Sequence, residues 1–107
     1  MADPMKIRAQ MQGDKTEVRV LMSHEMETGQ RKDAKGQLVP AWFIQNVSAT
    51  VNGRTVLSAE WGPAVAKNPF LAFRFSGAKA GDKVVITWTD NHGDKRTDET
   101  TITPAAA

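Results

Sequence analysis

The chain has 107 residues, enough for one domain with a single core; at this length folding removes roughly two-thirds of the unfolded chain's surface from water. It contains no cysteine, which excludes disulfides, thiolate nucleophiles, thiolate zinc sites and cysteine-held iron–sulfur clusters. Fourteen Lys and Arg against twelve Asp and Glu leave a net charge of +2, dispersed along the sequence and not gathered into a run, so no dedicated nucleic-acid surface is expected.

The opening Met1-Ala2-Asp3-Pro4-Met5-Lys6 lacks an apolar signal-peptide core, so an export signal of the chain's own is not expected. No stretch reaches the ~18 consecutive apolar residues of a membrane span. Met5 to Gln12 alternates apolar and polar without a break, the period of a half-buried strand. After the Gly13-Asp14-Lys15 turn, Thr16 to Met22 reads as a second strand with Val18, Val20 and Met22 on one face. A long polar connection follows from Ser23 to Pro40, with Gly29, Gly36 and the charged run Arg31-Lys32-Asp33-Ala34-Lys35 and no helical periodicity. Connections of that length are uncommon and often functional.

Ala41 to Val51 reads as the third strand. Asn52-Gly53 then signals a type I′ hairpin, whose two turn positions both need positive φ. Arg54 to Trp61 returns antiparallel. The segment Gly62 to Pro69, barred from a central strand by two prolines, leads into an aromatic fifth strand, Phe70 to Ser76. Lys83 to Thr89 is the sixth strand, Asp90 to Asp94 a turn, and Lys95 to Thr103 a polar seventh strand at an edge. The tail Pro104 to Ala107 is expected to fray. Seven short strands and no helix predict a single all-β domain over 1–107, an immunoglobulin-like or fibronectin-like antiparallel β-sandwich.

Alternation selects a core of Ile7, Met11, Val18, Val20, Phe43, Val47, Ala49, Leu57, Trp61, Leu71, Phe73, Phe75, Val84, Ile86 and Trp88. It leaves Leu21, Trp42, Ile44, Val56, Phe70 and Val85 pointing outward, and Leu21, Trp42, Ile44 and Phe70 are the expected centre of a protein interface. The reversed register, with Trp42 inward and Phe43 outward, is the competing reading of that strand. The polar residues give little chemistry. Ser23-His24-Glu25-Met26-Glu27 imitates a zinc motif without the helical geometry, so His24 is expected to be an ordinary loop histidine. The Asp90-Asn91-His92-Gly93-Asp94 string fits a hairpin turn better than a calcium loop, whose glycine comes later and whose last ligand would fall on Thr101. Asn46-Val47-Ser48 matches a glycosylation sequon inside a strand. No nucleophile elbow or paired catalytic carboxylates occur, so no enzymatic activity is expected.

Several strings together resemble the SoxZ family of the bacterial sulfur-oxidizing system. They are Met5-Lys6-Ile7-Arg8-Ala9, Val20-Leu21-Met22-Ser23-His24, Met26-Glu27-Thr28-Gly29, Arg31-Lys32-Asp33, Val39-Pro40-Ala41-Trp42-Phe43-Ile44, Trp61-Gly62-Pro63-Ala64-Val65, Lys67-Asn68-Pro69-Phe70, Trp88-Thr89-Asp90-Asn91, Gly93-Asp94 and Arg96-Thr97-Asp98-Glu99. Glu25 departs from the pattern, where many relatives carry proline. The resemblance implies a non-catalytic subunit, holding no cofactor, that pairs with SoxY, whose C-terminal cysteine carries the sulfur intermediates of thiosulfate oxidation. The pair is then offered in turn to SoxAX, SoxB and SoxCD. It also implies a periplasmic location, reached by folded co-export with the signal-bearing partner. Topology is expected to gather the Gly13–Lys15, Asn52–Gly53 and Gly77–Asp82 turns at one pole. The opposite pole would hold His24, Arg31, Asn68 and His92 as a recognition surface. Two other classes compete: a carbohydrate-binding sandwich stacking sugars on Trp42, Trp61 and Trp88, and an edge-pairing structural module.

Overall fold

The structure, a computed structural model, describes residues 3–105. Ala106 and Ala107 of the expected tail, and Met1 and Ala2, lie outside the described residues. Among those described there are seven antiparallel strands and no helix: β1 (Lys6–Gln12), β2 (Lys15–Leu21), β3 (Ile44–Val51), β4 (Arg54–Glu60), β5 (Phe70–Ser76), β6 (Lys83–Asp90) and β7 (Lys95–Thr101). They form two sheets, of strand order β1-β2-β5 and β4-β3-β6-β7, so the fold is the β-sandwich that the turn spacing predicts.

Period-two alternation decides which side chains meet between the sheets. Val18 and Val20 of β2 face Val47 and Ala49 of β3 and Val84, Ile86 and Trp88 of β6, all buried as expected. Burying each large apolar side chain here contributes roughly 1.5–3 kcal/mol. Thr16, the polar exception in that stripe, is fully buried and donates its hydroxyl to the Met11 sulfur at 3.2 Å. Met5, Ala9, Met22, Met26, Val51 and Ile102 join the core as well.

Two expectations need correction. Ile44 is not an outward interface residue: it is fully buried. The cause is a β-bulge between Ile44 and Asn46, which pairs Ile44 with Asp90 and Asn46 with Thr89 and leaves Gln45 as the extra residue. One extra residue reverses the phase of the alternation, so Ile44 and Val47 point inward together. The second correction concerns Ser23–Pro40, which is partly paired. Glu27 and Trp42 exchange backbone hydrogen bonds, Val39 donates to Arg31 at 2.8 Å, and Asp33 donates to Gln37 at 2.8 Å. The connection is therefore a two-stranded ribbon turned over near Gly36, with Gln30 to Leu38 exposed.

The two flanks of the sandwich differ. On one, β1 meets the chain beyond β7, where Met11 donates to Thr103 at 3.0 Å and Thr103 to Ala9 at 2.9 Å. On the other, the edge strands β4 and β5 stay apart, and Leu57, Trp61, Leu71, Phe73 and Phe75 are only half-buried. The Arg54 guanidinium spans that gap to the Ser76 carbonyl at 2.9 Å. At the Asn52–Gly53 hairpin both residues have positive φ, 52° and 77°, as a type I′ turn requires.

Candidate functional site

Antiparallel connections place the Gly13, Asn52–Gly53 and Gly77–Asp82 turns at one end. Ser23–Pro40, Gly62–Pro69 and Asp90–Asp94 meet at the other. Asp90 organises that second pole. It closes β6, and its Oδ1 accepts the backbone N–H groups of His92 and Asp94, each at 2.9 Å, which shapes the turn. Its Oδ2 accepts the indole N–H of Trp42 at 2.8 Å and lies 3.0 Å from His24 Nε2. Burial alone would raise the Asp90 pKa, but the hydrogen bonds from His24, Trp42, Asp94 and His92 together hold it below its ordinary value.

His24 is buried, which the loop-histidine expectation did not foresee. The backbone N–H of Met26 donates to its Nδ1 at 3.1 Å, so the ring proton belongs on Nε2 and is donated to Asp90. Asn68 clasps the same residue from the Gly62–Pro69 loop. Its side-chain oxygen accepts the His24 N–H at 3.1 Å, and its own N–H donates to the His24 carbonyl at 2.9 Å. Asn68 holds a φ of 53°, a left-handed conformation that asparagine tolerates better than most residues.

An aromatic layer covers this polar knot. Trp42 stacks on His92 at 5.1 Å with planes 4° apart, while His24 stands edge-on to both Trp42 and Trp88 at 5.1 Å. The Trp88 indole N–H is buried without a hydrogen-bond partner beside that ring. Asn91 ties down the residues that lead into β3, accepting from Phe43 N–H at 2.8 Å and donating to the Ala41 carbonyl at 2.8 Å. Neither register foreseen for Trp42 and Phe43 is complete, since both are half-buried. A depression of about 430 Å³ opens beside the knot between Ser23, Glu25, Trp42, Lys67 and Asn68.

The structure thus brings His24, Asn68, Trp42 and His92 together and sets Arg31 apart. Arg31 lies on the ribbon, fully engaged with Glu27 through Nε at 3.0 Å and Nη2 at 2.8 Å. That contact raises the Arg31 pKa and lowers that of Glu27. Leu21 and Phe70 are elsewhere again, as register partners on the outer face of the three-stranded sheet, 41% and 63% exposed. Trp42, Trp61 and Trp88 do not make one stacking platform, because Trp88 is buried. Sequence reasoning missed Asp90 as the centre of the pole. Its signal was the Asp90-Asn91-x-Gly93-Asp94 turn pattern, which calls for a side-chain acceptor at its first position.

Chemically the pole is a scaffold. Both ring nitrogens of His24 are occupied by Asp90 and Met26, and no bond links it to Ser23. Among the described residues no group of three or more His, Asp or Glu side chains is placed to hold a metal ion.

In shape the chain is similar to a superoxide reductase (neelaredoxin) from Ignicoccus hospitalis, with a TM-score of 0.62 at 15% identity over 96% of this chain and 81% of that one. A hypothetical protein from Pyrococcus horikoshii gives 0.61 at 17% identity, covering 94% and 88%. A superoxide reductase from Archaeoglobus fulgidus gives 0.56 at 18%, covering 94% and 86%. At such identities the likeness shows the fold alone. No curated protein sequence matches the chain. The family model described as sulphur oxidation protein SoxZ matches residues 5–101, which takes in all seven strands and the whole His24–Asp90 pole; the chain therefore belongs to the SoxZ family.

Proposed function

We propose that this chain is the non-catalytic half of the SoxYZ sulfur carrier: it binds the cysteine-bearing SoxY subunit and helps present it to SoxAX, SoxB and SoxCD. The observation that carries this reading is the family match over residues 5–101. The composition agrees with it, because a chain without cysteine has no thiol on which a sulfur intermediate could ride. The exposed Leu21 and Phe70 pair supplies an apolar contact for the partner. The ribbon with Arg31, and the exposed Asn68 and His92 of the pole that buried His24 props from within, supply a surface for the carrier arm or the visiting enzymes. In this reading the complex works in the periplasm, where the chain arrives together with its partner.

Co-expression with SoxY, co-purification and intact-mass spectra during thiosulfate turnover test the proposal. A stable complex with sulfur-sized additions on the partner alone is the expected result. An addition on this chain, or no complex at all, overturns it.

A further inference from the structure

The basic residues that are dispersed in sequence are gathered by the register of the three-stranded sheet. Its outer face carries Lys6 opposite Leu21, which is opposite Phe70, and on the next row Arg8 opposite Arg19. Lys15 and Arg74 lie on the rows beyond, so five cations share the face with one carboxylate, Glu17. Glu17 binds Arg19 at 2.9 Å and Arg74 at 3.1 Å. Lys6, Arg8 and Lys15 make no ion pair among the described residues. The outer face of the other sheet is balanced in charge: beside the neutral row Ser58, Ser48, Thr87 and Thr97 it carries Lys83 and Lys95 with Glu60 and Glu99, and Lys83 pairs with Glu99 at 3.5 Å.

Two features of the basic face work against the isolated chain. Like charges directly opposite on neighbouring strands repel, and Arg8 and Arg19 are such a pair. Leu21 and Phe70, also directly opposite, leave two large apolar side chains in water. The two features adjoin, around a depression of about 400 Å³ between Lys6, Arg8, Arg19, Leu21 and Phe70. A carboxylate set against the two guanidiniums would relieve the first, and an apolar side chain seated beside Leu21 and Phe70 would relieve the second.

We propose that this face docks an acidic, apolar-centred surface of the partner subunit, with carboxylates on Arg8 and Arg19 and an apolar anchor between Leu21 and Phe70. The proposal rests on the reading of the chain as a pairing subunit. Aromatic and arginine side chains are the ones that carry most affinity at protein interfaces, and both are here. A phosphate backbone would find Glu17 in the middle of its track and no use for the apolar pair.

The test measures the affinity of the intact chain for its SoxY partner by titration calorimetry at low and high salt, with thermal melting of each variant. Arg8→Glu places a carboxylate opposite Arg19, so its melting temperature should hold or rise while affinity at low salt falls about tenfold and loses much of its salt dependence. Phe70→Ser should weaken binding about thirtyfold with melting unchanged. If the wild type binds and either variant binds as well as it does, the docking face is wrong while the pairing reading stands. If the wild type does not bind the partner, the pairing reading itself fails and this inference with it. A lower melting temperature for Arg8→Glu would mark Arg8 as structural and overturn the proposal. So would a variant that loses binding to phosphatidylglycerol vesicles or duplex DNA with partner binding intact.

Discussion

Asp90 spends both carboxylate oxygens on four donors, and that makes it the residue whose ionisation matters most to the loop pole. Its folded pKa lies below the ordinary value, so its stabilisation is fully present above about pH 4 and is lost as pH falls through the lower folded value. Asp98, lowered chiefly by Arg96 and also by the Met5 N–H, acts in the same window. Denaturant unfolding across a pH series should therefore show stability falling below about pH 4, and Asp90→Asn should flatten that fall without abolishing it. At neutral pH the same substitution should cost about 1–3 kcal/mol, because an amide cannot accept from all four donors. His24→Ala should cost a similar amount, since it strips Asp90 of a buried partner. Arg31 is the contrasting case, exposed on the ribbon. Arg31→Ala should leave folding and pairing intact and slow thiosulfate-dependent electron transfer in the reconstituted system; an unchanged rate would show that the ribbon meets no visiting enzyme. None of this division was legible beforehand, because burial of a loop histidine depends on which distant residues face it. His24 and Asp90 are 66 positions apart.

At the scale of elements, strands were legible wherever a local rule decided them. Phe70–Ser76 has the bounds that its aromatic alternation predicts, and Asn52–Gly53 turns with the φ values that its residue types demand. Gly53→Ala should cost about 1 kcal/mol by thermal or denaturant unfolding and leave partner affinity unchanged. The added Cβ meets nothing within 4 Å, so the whole effect is backbone conformation and not a clash. The start of β3 was misread because a bulge has no composition of its own. The only trace is that Ile44 and Val47 stand three apart with two polar residues between them. The ribbon from Glu27 to Trp42 was hidden for a different reason. Its pairing is by isolated bridges, and exposed polar strands carry no apolar alternation to reveal them.

For the whole molecule, strand count and turn spacing were enough to predict a two-sheet sandwich, but not how its flanks close. Closure depends on which strand lies beside which, and that is settled by contacts between the first and last segments of the chain. The consequence for local stability is testable by amide hydrogen exchange. The slowest amides should be those of β3 and β6, paired on both sides in the four-stranded sheet. Those of β4 and β5 along the open flank should exchange orders of magnitude faster. Equal protection in β5 and β6 would mean that the flank is closed in solution.

The bridge between β1 and Thr103 also gives the domain a mechanical direction. The two segments run parallel, and their hydrogen bonds, Thr103 to Ala9 and Met11 to Thr103, lie across the line between the amino end of β1 and the carboxyl end of the segment after β7. Tension applied to those ends slides one segment along the other and loads both bonds at the same moment, whereas tension on a hairpin such as Asn52–Gly53 opens its bonds one at a time. The parallel bridge therefore resists a pull along its two segments better than the hairpin resists a pull that peels its strands apart.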